Sequence, residues 1–152
     1  MAASEGMTAL VDQLIDLFNA RSMDLPDGHF TRQTRFVLNG VPFEEMLGRS
    51  PGDPLILMLT RGPAGYRFTA KALQHALPDA RLQRGDIEES GDAGAALVKG
   101  QCWLSGHMRG AGEPVDVVVE VELRFRNGSI ERIDATLDPS AADRIQQARL
   151  RA

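Results

Sequence analysis

Three polar residues at alternate positions near the end of the chain could support acid–base chemistry. Arg132, Asp134 and Thr136 lie within the run Ser129 to Leu137, which has the composition of a β-strand. Side chains two residues apart on a strand share one face of the sheet. An aspartate beside an arginine on a buried face could act as a general base, with its pKa set by burial and by the arginine. Asp134 and Arg132 are therefore the candidate catalytic residues if this face points into a cavity.

The register of this strand decides which residues point inward. Asn127-Gly128 between two strand-like runs favours a two-residue hairpin turn. A regular ladder pairs Val121 with Asp134 and turns the polar residues inward. A one-residue bulge near Glu131-Arg132 pairs Val121 with Ala135 instead and turns inward three apolar residues: Ile133, Ala135 and Leu137. Burying an arginine and an aspartate among valines costs several kcal/mol per ion unless they are well paired, which favours the bulge but leaves both registers open.

Other residue types with reactive side chains show no catalytic or metal-binding pattern. Cys102 is the only cysteine, so an intrachain disulfide is impossible, and a small buried apolar role is expected for it. His29, His75 and His107 lack metal-ligand spacing, and the glycines form no phosphate-binding fingerprint. We therefore predict no metal site and no cofactor.

Helices are expected first and strands afterwards. Thr8 is a plausible N-cap for a helix that ends near Asn19, and a second long helix is expected over about residues 64–76, before Pro78. Asp53-Pro54 indicates the start of a short buried helix over residues 55–59. Residues 41–43 either return as a strand after Asn39-Gly40 or lead into a short helix that starts at Pro42. The strands are expected over residues 34–38, 81–89, 95–108, 115–126 and 129–137.

This order of elements predicts an α+β fold with the helices packed on one face of an antiparallel sheet. We expect residues 1–7 to be a disordered lead-in, residues 8–139 to form one domain, and residues 140–152 to form a polar helical tail. Alternation along the strands assigns the two faces of the sheet. Val119, Val121, Cys102 and Leu104 fall on the apolar inner face.

The chain resembles the nuclear-transport-factor-2-like superfamily, in its SnoaL-like and limonene-epoxide-hydrolase-like branch. The matching segments are Ala72-Leu73 through Leu77-Pro78-Asp79-Ala80 and Phe125-Arg126-Asn127-Gly128-Ser129-Ile130 running to Asp138. The resemblance implies a cone-shaped, curved antiparallel or mixed sheet wrapped on N-terminal helices, a cystatin-like α+β roll with an apolar cavity. It also implies frequent dimerisation through the outer sheet face. The catalytic aspartate of epoxide-hydrolase-like members corresponds here to Ala135, which can transfer no proton.

The leading hypothesis is a homodimeric module that binds a small apolar or amphipathic molecule inside the cone. An isomerase, polyketide cyclase or hydrolase acting on a hydrophobic substrate is one alternative, and a dimeric interaction module is another. The ligand-binding residues expected from the inner face are Tyr66, Cys102, Leu104, Val119, Val121, Leu123 and Ala135. The interface residues expected on the outer face are Trp103, His107 and Val118.

Composition excludes several other classes of protein. The chain of 152 residues has a net charge of −4, and its arginines are interleaved with acidic residues. Nucleic-acid-binding proteins usually carry a basic excess or stripe, so no nucleic-acid partner is expected. No run approaches the roughly 20 apolar residues that a membrane helix needs, and the N-terminus does not resemble a signal peptide. A cytoplasmic location is therefore expected.

Overall fold

The structure, a computed structural model, describes residues 5–22, 30–42, 60–92, 94–110 and 112–149. Three helices and six strands lie within these ranges. In chain order they are α1 (Glu5–Asn19), β1 (Phe30–Leu38), β2 (Val41–Pro42), α2 (Gly62–Ala76), β3 (Arg81–Asp92), β4 (Ala95–His107), β5 (Pro114–Arg126), β6 (Ser129–Thr136) and α3 (Pro139–Arg149).

The six described strands form one mixed, curved sheet in the order β2-β1-β6-β5-β4-β3. Every neighbouring pair is antiparallel except β1 and β6, which run parallel. Helices α1 and α2 cover one face, which we call the inner face, and the opposite face is the outer face. The predicted α+β roll is confirmed.

Helix boundaries differ from expectation at three places. Helix α1 begins at Glu5, so Thr8 lies inside the helix and is not its N-cap. Helix α2 begins at Gly62, with Pro63 in its first turn. Helix α3 begins at Pro139, and the Asp138 carboxylate accepts a hydrogen bond from the Ala141 amide at 3.0 Å.

The first Asn-Gly pair forms a hairpin turn between β1 and β2. Asn39 and Gly40 have φ angles of 50° and 79°, as a type I′ turn requires. Val41–Pro42 pairs with the end of β1, so a strand follows this turn. The residues from 43 onward, including the helix expected over 55–59, lie outside the described residues, as does His29.

The second Asn-Gly pair joins β5 to β6, and a bulge follows it. Phe125 pairs with Ile130 and Arg124 with Arg132, which leaves Glu131 as the extra residue. Val121 consequently pairs with Ala135. The bulged register is confirmed, and the regular register is wrong for this strand. Side-chain packing explains the outcome, because the bulge turns Ile133 inward, opposite Leu123, where it joins the apolar packing of the inner face.

The apolar core between sheet and helices consists of two packed clusters. Cluster 1 contains Phe18, Ala70, Ala76, Leu77, Ala80, Leu104, Met108 and Val115. Cluster 2 contains Leu10, Ala96, Val98, Leu123, Phe125 and Ile130. The two clusters lie at opposite ends of the inner face, so the centre of that face lies between them.

Candidate functional site

Five residues cross the centre of the inner face between the two clusters, and we call them the central band: Gly100, Cys102, Val119, Val121 and Ala135. Cys102 pairs with Val119, and Val121 pairs with both Gly100 and Ala135. Val119 packs against cluster 1, whereas Val121 packs against cluster 2. Cys102 and Ala135 carry small side chains, whereas the space beside Gly100 is taken by the Ile87 side chain of β3.

Burial along β4 falls in the middle of the strand. Val98 and Leu104 are each 2% exposed, but the inner-face positions between them, Gly100 and Cys102, are only half-buried. Strand β5 shows the same profile, with half-buried residues between Val115 and Leu123. In a continuous packed core the centre of the sheet would be the most buried part. Packing is therefore least complete at the central band.

Tyr66 of α2 and Phe30 of β1 lie at the same boundary between the clusters. Tyr66 packs against cluster 1 and Phe30 against cluster 2. Their ring centroids are 6.3 Å apart, with the ring planes inclined at 51°, a favourable aromatic arrangement. The Tyr66 hydroxyl oxygen is buried and finds no hydrogen-bond partner within the described part of the chain. Burial raises the pKa of this phenol, so it stays protonated at neutral pH.

Cys102 is the titratable side chain of the central band. Burial raises the pKa of its thiol, and the positive charge of Arg84 opposes that shift only in part. Arg84 itself is held by Asp12 of α1 at 2.6 Å. The thiol is therefore the dominant form at neutral pH, and a thiol is a much weaker nucleophile than a thiolate.

Packing at both ends of α2 fixes the position of Tyr66. A Cβ atom on Gly65 would lie 2.6 Å from the Phe36 ring, so only glycine lets the helix approach β1 this closely. At the other end, Arg21 donates hydrogen bonds to the carbonyl oxygens of Pro78 at 2.9 Å and Ala80 at 2.8 Å. These contacts hold the helix that carries the tyrosine against both β1 and the end of α1.

The expected ligand-binding residues divide into two groups. Tyr66, Cys102, Val119, Val121 and Ala135 lie together at the boundary between the clusters. Leu104 and Leu123 are only 2% and 6% exposed and belong to clusters 1 and 2 respectively. Those two residues therefore bound the central band rather than line it.

The condition for Asp134 and Arg132 to act in a cavity is not met. In the bulged register they pair with Glu122 and Arg124, whose side chains alternate with those of the inner face. The Arg132 guanidinium donates two hydrogen bonds to the Asp134 carboxylate, at 2.8 and 2.9 Å. This bidentate contact raises the pKa of Arg132. The pair is thus engaged with itself on the outer face.

Trp103 and Val118 occupy the outer face as expected. They pair directly across β4 and β5, and each is 41% exposed. The indole ring lies over Gly85 of β3, where a Cβ atom would come within 2.8 Å of it. A shallow groove of about 540 Å³ adjoins this pair and is lined by Arg81, Leu82, Gln83, Trp103, Ser105 and Asp116.

His107 lies further along β4 and is bound to Asp79. One Asp79 oxygen accepts the His107 backbone N–H at 2.7 Å, and the other lies 2.7 Å from ring atom Nδ1. These hydrogen bonds to His107 lower the pKa of Asp79. The contact fixes the turn after α2 to the end of β4. His75 is exposed on α2, as expected for a solvated histidine.

Phe30 and Gly100 were missed as residues of this site. Phe30 ends a segment rich in turn-forming residues, so its sequence context conceals the start of β1. A glycine inside a strand pattern is a signal for close approach of another group. Gly100 is an example of such close approach, because the Ile87 side chain of β3 packs directly over the glycine.

The described residues show neither a metal-binding cluster nor a membrane-spanning helix. Within those ranges, histidine, cysteine, aspartate and glutamate nowhere gather in a group of three that could hold a metal ion. None of the described helices is long and apolar enough to cross a bilayer.

Comparison with known proteins identifies the fold. No family model matches this chain, and no curated protein matches its sequence. Solved structures do match. One is a SnoaL-like polyketide cyclase from Jannaschia sp. CCS1, itself a provisional assignment, with 14% identity over 96% of this chain and 97% of the other and a TM-score of 0.63.

Two further structures share the fold over nearly the whole chain. IdmH from Streptomyces antibioticus, provisionally a polyketide cyclase, is 18% identical over 94% of this chain and 96% of the other, with a TM-score of 0.62. TerC, crystallised with polyporic acid, is 15% identical over 92% and 97%, with a TM-score of 0.59. The chain therefore shares the fold of solved structures that include SnoaL-like polyketide cyclases, as the resemblance implied.

Proposed function

We propose that this protein binds a small apolar or amphipathic molecule at the central band, between the sheet and helices α1 and α2. The observation that carries the proposal is the burial profile of β4 and β5. Inner-face side chains at both ends of these strands are buried, whereas Cys102 and Val119 at their centre are only half-buried. Incomplete packing in the middle of a sheet, lined by small apolar groups, is the usual form of a small-molecule site.

The chemistry of the lining supports an uncharged ligand. Val119, Val121 and Ala135 offer only apolar surface, and both Tyr66 and Cys102 have pKa values raised by burial. A charged ligand would lose its hydration without gaining a counter-ion from these side chains. TerC, which has the same fold, was crystallised with the organic molecule polyporic acid. That likeness supports a ligand of organic, small-molecule type.

Binding without turnover fits the described residues better than the enzyme alternative does. Two proteins with this fold carry the provisional name of polyketide cyclase. A cyclase or isomerase needs a group that exchanges protons near neutral pH. Among the described residues, the phenol of Tyr66 and the thiol of Cys102 are both held in their protonated forms. Arg84, which pairs with Cys102 across the strands, is bound to Asp12 at 2.6 Å. Asp134 and Arg132 face away from the band.

A pair of phenylalanine substitutions tests the binding site. Ala135→Phe adds a ring at the central band, and the neighbouring Thr136→Phe adds the same ring on the exposed outer face. We expect the wild-type protein and Thr136→Phe to bind tetralin equally, measured by isothermal titration calorimetry. We expect Ala135→Phe to fold normally and to bind at least tenfold more weakly.

The stability of the same variant gives an independent result. Where packing is already complete, an added ring costs about 1–3 kcal/mol or more in unfolding free energy. A protein with space at the band accepts the ring with little loss. The proposal fails if the wild-type protein does not bind tetralin and Ala135→Phe is strongly destabilised in urea unfolding.

We also propose that two copies associate through the outer sheet face. Trp103 and Val118 form an exposed apolar pair, of the kind enriched at interface centres. Arg81 and Asp116 lie in the next cross-strand row, on either side of Ser105. A two-fold axis through the apolar pair would bring the arginine of one copy towards the aspartate of the other. His107 is exposed beside this surface.

Sedimentation tests the dimer directly. We expect the wild-type protein to sediment as a dimer at micromolar concentration and Val118→Glu to sediment as a monomer. Glu120→Gln, on the same face but outside the apolar pair, is the control and should remain dimeric. A wild-type monomer under these conditions would contradict the interface. A cytoplasmic location and the lack of a cofactor remain predictions from the sequence.

A further inference from the structure

Helix α1 lies along the edge strand β3, and we call the line between them the α1–β3 seam. At one end of the seam, the Asn19 side chain donates to the Leu82 carbonyl oxygen at 2.9 Å and accepts from the Leu82 amide at 2.8 Å. At the other end, Ile87 packs against cluster 2, which contains Leu10. Between these ends the rise per residue gives about 14 Å along α1 and at most about 16 Å along β3. The seam is therefore longer than two fused six-membered rings.

An ion pair crosses the middle of the seam. The Arg84 guanidinium donates from Nε to the Asp12 carboxylate at 2.6 Å, and the two side chains are 34% and 47% exposed. A second nitrogen of the same guanidinium donates to the Gly85 carbonyl oxygen at 3.1 Å. Exposed ion pairs are weak, and a long arginine side chain has other rotamers in water. Opening the pair therefore costs little and needs no movement of the backbone.

The same ion pair stands at the end of the central band. Arg84 pairs with Cys102 across the strands, and Cys102 pairs with Val119, so the three residues form one row of the inner face. The charge of Arg84 acts on the Cys102 thiol, which confirms that the two side chains are close. Cys102 is only half-buried although it lies in the middle of the sheet. This row leads from the band directly to the seam.

We infer that the Arg84–Asp12 ion pair is a gate, and that a ligand enters and leaves the central band through the α1–β3 seam. This inference rests on the proposed binding function and adds the path that the ligand takes. When Arg84 turns into solvent, the middle of the seam loses the side chain that crosses it. The contacts of Asn19 and Ile87 at its two ends stay in place. Such a gate changes the rates of binding and release together and leaves the affinity unchanged.

Labelling of Cys102, the single cysteine, by N-ethylmaleimide measures passage through the gate. We expect Asp12→Asn to be labelled about two- to fivefold faster than the wild-type protein, the range that one exposed ion pair can impose on a local opening. Arg84→Ala, which also removes the crossing side chain, should be labelled at least as fast as Asp12→Asn. Loss of the arginine charge alone would slow labelling, because that charge lowers the pKa of the thiol.

The matched control is Lys99→Ala. It removes another exposed ion pair, between Lys99 and Glu122 at 3.5 Å, but on the outer face of the sheet. We expect this variant to be labelled at the wild-type rate, and urea midpoints show whether each variant is as stable as the wild-type protein. Labelling of Arg84→Ala no faster than that of the wild-type protein, or an equal acceleration in Lys99→Ala, would overturn the gate.

Tetralin separates the two proposals. If both stand, excess tetralin protects Cys102 of the wild-type protein from labelling, and Arg84→Ala binds tetralin with wild-type affinity in calorimetry. If tetralin binds but Arg84→Ala is labelled at the wild-type rate, the gate fails and the binding function stands. If tetralin neither binds nor protects Cys102 and Ala135→Phe is strongly destabilised, the band holds no ligand and both proposals fail.

Discussion

Deleting Glu131 should leave this protein folded with the same residues facing inward. Glu131 is the extra residue of the β6 bulge, since Ile130 pairs with Phe125 and Arg132 with Arg124. Without it, the ladder would run regularly from Ile130 to Arg132, and every later residue would keep its partner and its face. The bulge therefore points the apolar residues of β6 inward, whereas a regular ladder from the turn would point them outward.

The structure gives the size of the expected loss. Glu131 forms an ion pair with Arg126 at 3.4 Å, but these side chains are 49% and 71% exposed, so the pair is worth well under about 1 kcal/mol. The Thr34 hydroxyl donates a 2.6 Å hydrogen bond to the Ile130 carbonyl oxygen, and a change in strand twist would weaken it by up to about 1 kcal/mol. We expect the deletion to cost about 1–2 kcal/mol in unfolding free energy.

Deletion of Asp134 is the matched control. It also shortens β6 by one residue, but beyond the bulge, so Thr136 would turn inward opposite Val121 and Ala135 would turn outward. Burying that hydroxyl without a partner costs about 1–3 kcal/mol, and Arg132 loses both of its hydrogen bonds to the missing carboxylate. We expect a total loss of at least about 3 kcal/mol.

Urea unfolding followed by the fluorescence of Trp103, the single tryptophan, measures both losses. The rate of maleimide labelling shows on which face of the sheet residue 134 lies. It is measured with Asp134→Cys in a Cys102→Ala background, because an outward thiol reacts rapidly. Rapid labelling should persist when Glu131 is deleted. Slow labelling in the Glu131 deletion, or a larger loss of stability than deletion of Asp134 causes, would refute the bulge as the element that sets the inner face.

Three other predictions concern packing, a strand edge and acid stability. Gly65→Ala should lower the unfolding free energy by about 1–3 kcal/mol, because the added methyl group would lie 2.6 Å from the Phe36 ring. This loss is expected despite the better helix propensity of alanine. An unchanged urea midpoint would contradict this packing. Asn19→Ala should cost about 1–3 kcal/mol and speed amide exchange at the start of β3, because the side-chain amide both donates to and accepts from that edge strand at 2.9 and 2.8 Å. Hydrogen bonds from His107 lower the pKa of Asp79 in the folded state. The stability advantage of the wild-type protein over Asp79→Asn should therefore be complete above about pH 5 and vanish as the pH falls through that pKa. An advantage independent of pH in urea titrations would contradict the contact.

Local patterns in the sequence predicted the elements of this fold closely. Strands β3 to β6 lie within three residues of their expected ends, because alternation of apolar and polar residues follows directly from strand geometry. Strand β1 begins four residues before its expected start. Both Asn-Gly pairs form the expected turns, since asparagine and glycine accept the positive φ angles that such turns need. The predicted start of α1 was wrong, because the sequence of its first turn is compatible with more than one helix start.

Contacts between distant segments were harder to foresee. The parallel pairing of β1 with β6 joins strands about a hundred residues apart, and no local pattern in either strand encodes it. Asn19 forms hydrogen bonds with β3, and Phe30 lies beside Tyr66. Both contacts also join segments that are distant along the chain. Each depends on how helices and strands are placed in space rather than on the neighbours of the residue along the chain.

The sequence by itself determined the types of residue, the α+β order and the two faces of each strand, because these follow from backbone geometry and the period of apolar residues. It left open whether Asp134 or Ala135 points inward, since one extra residue in a strand reverses every later side chain. Only the tertiary structure decided this, because packing of Ile133 against the core, opposite Leu123, outweighs a regular ladder. The same packing placed the small residues of the central band between two clusters.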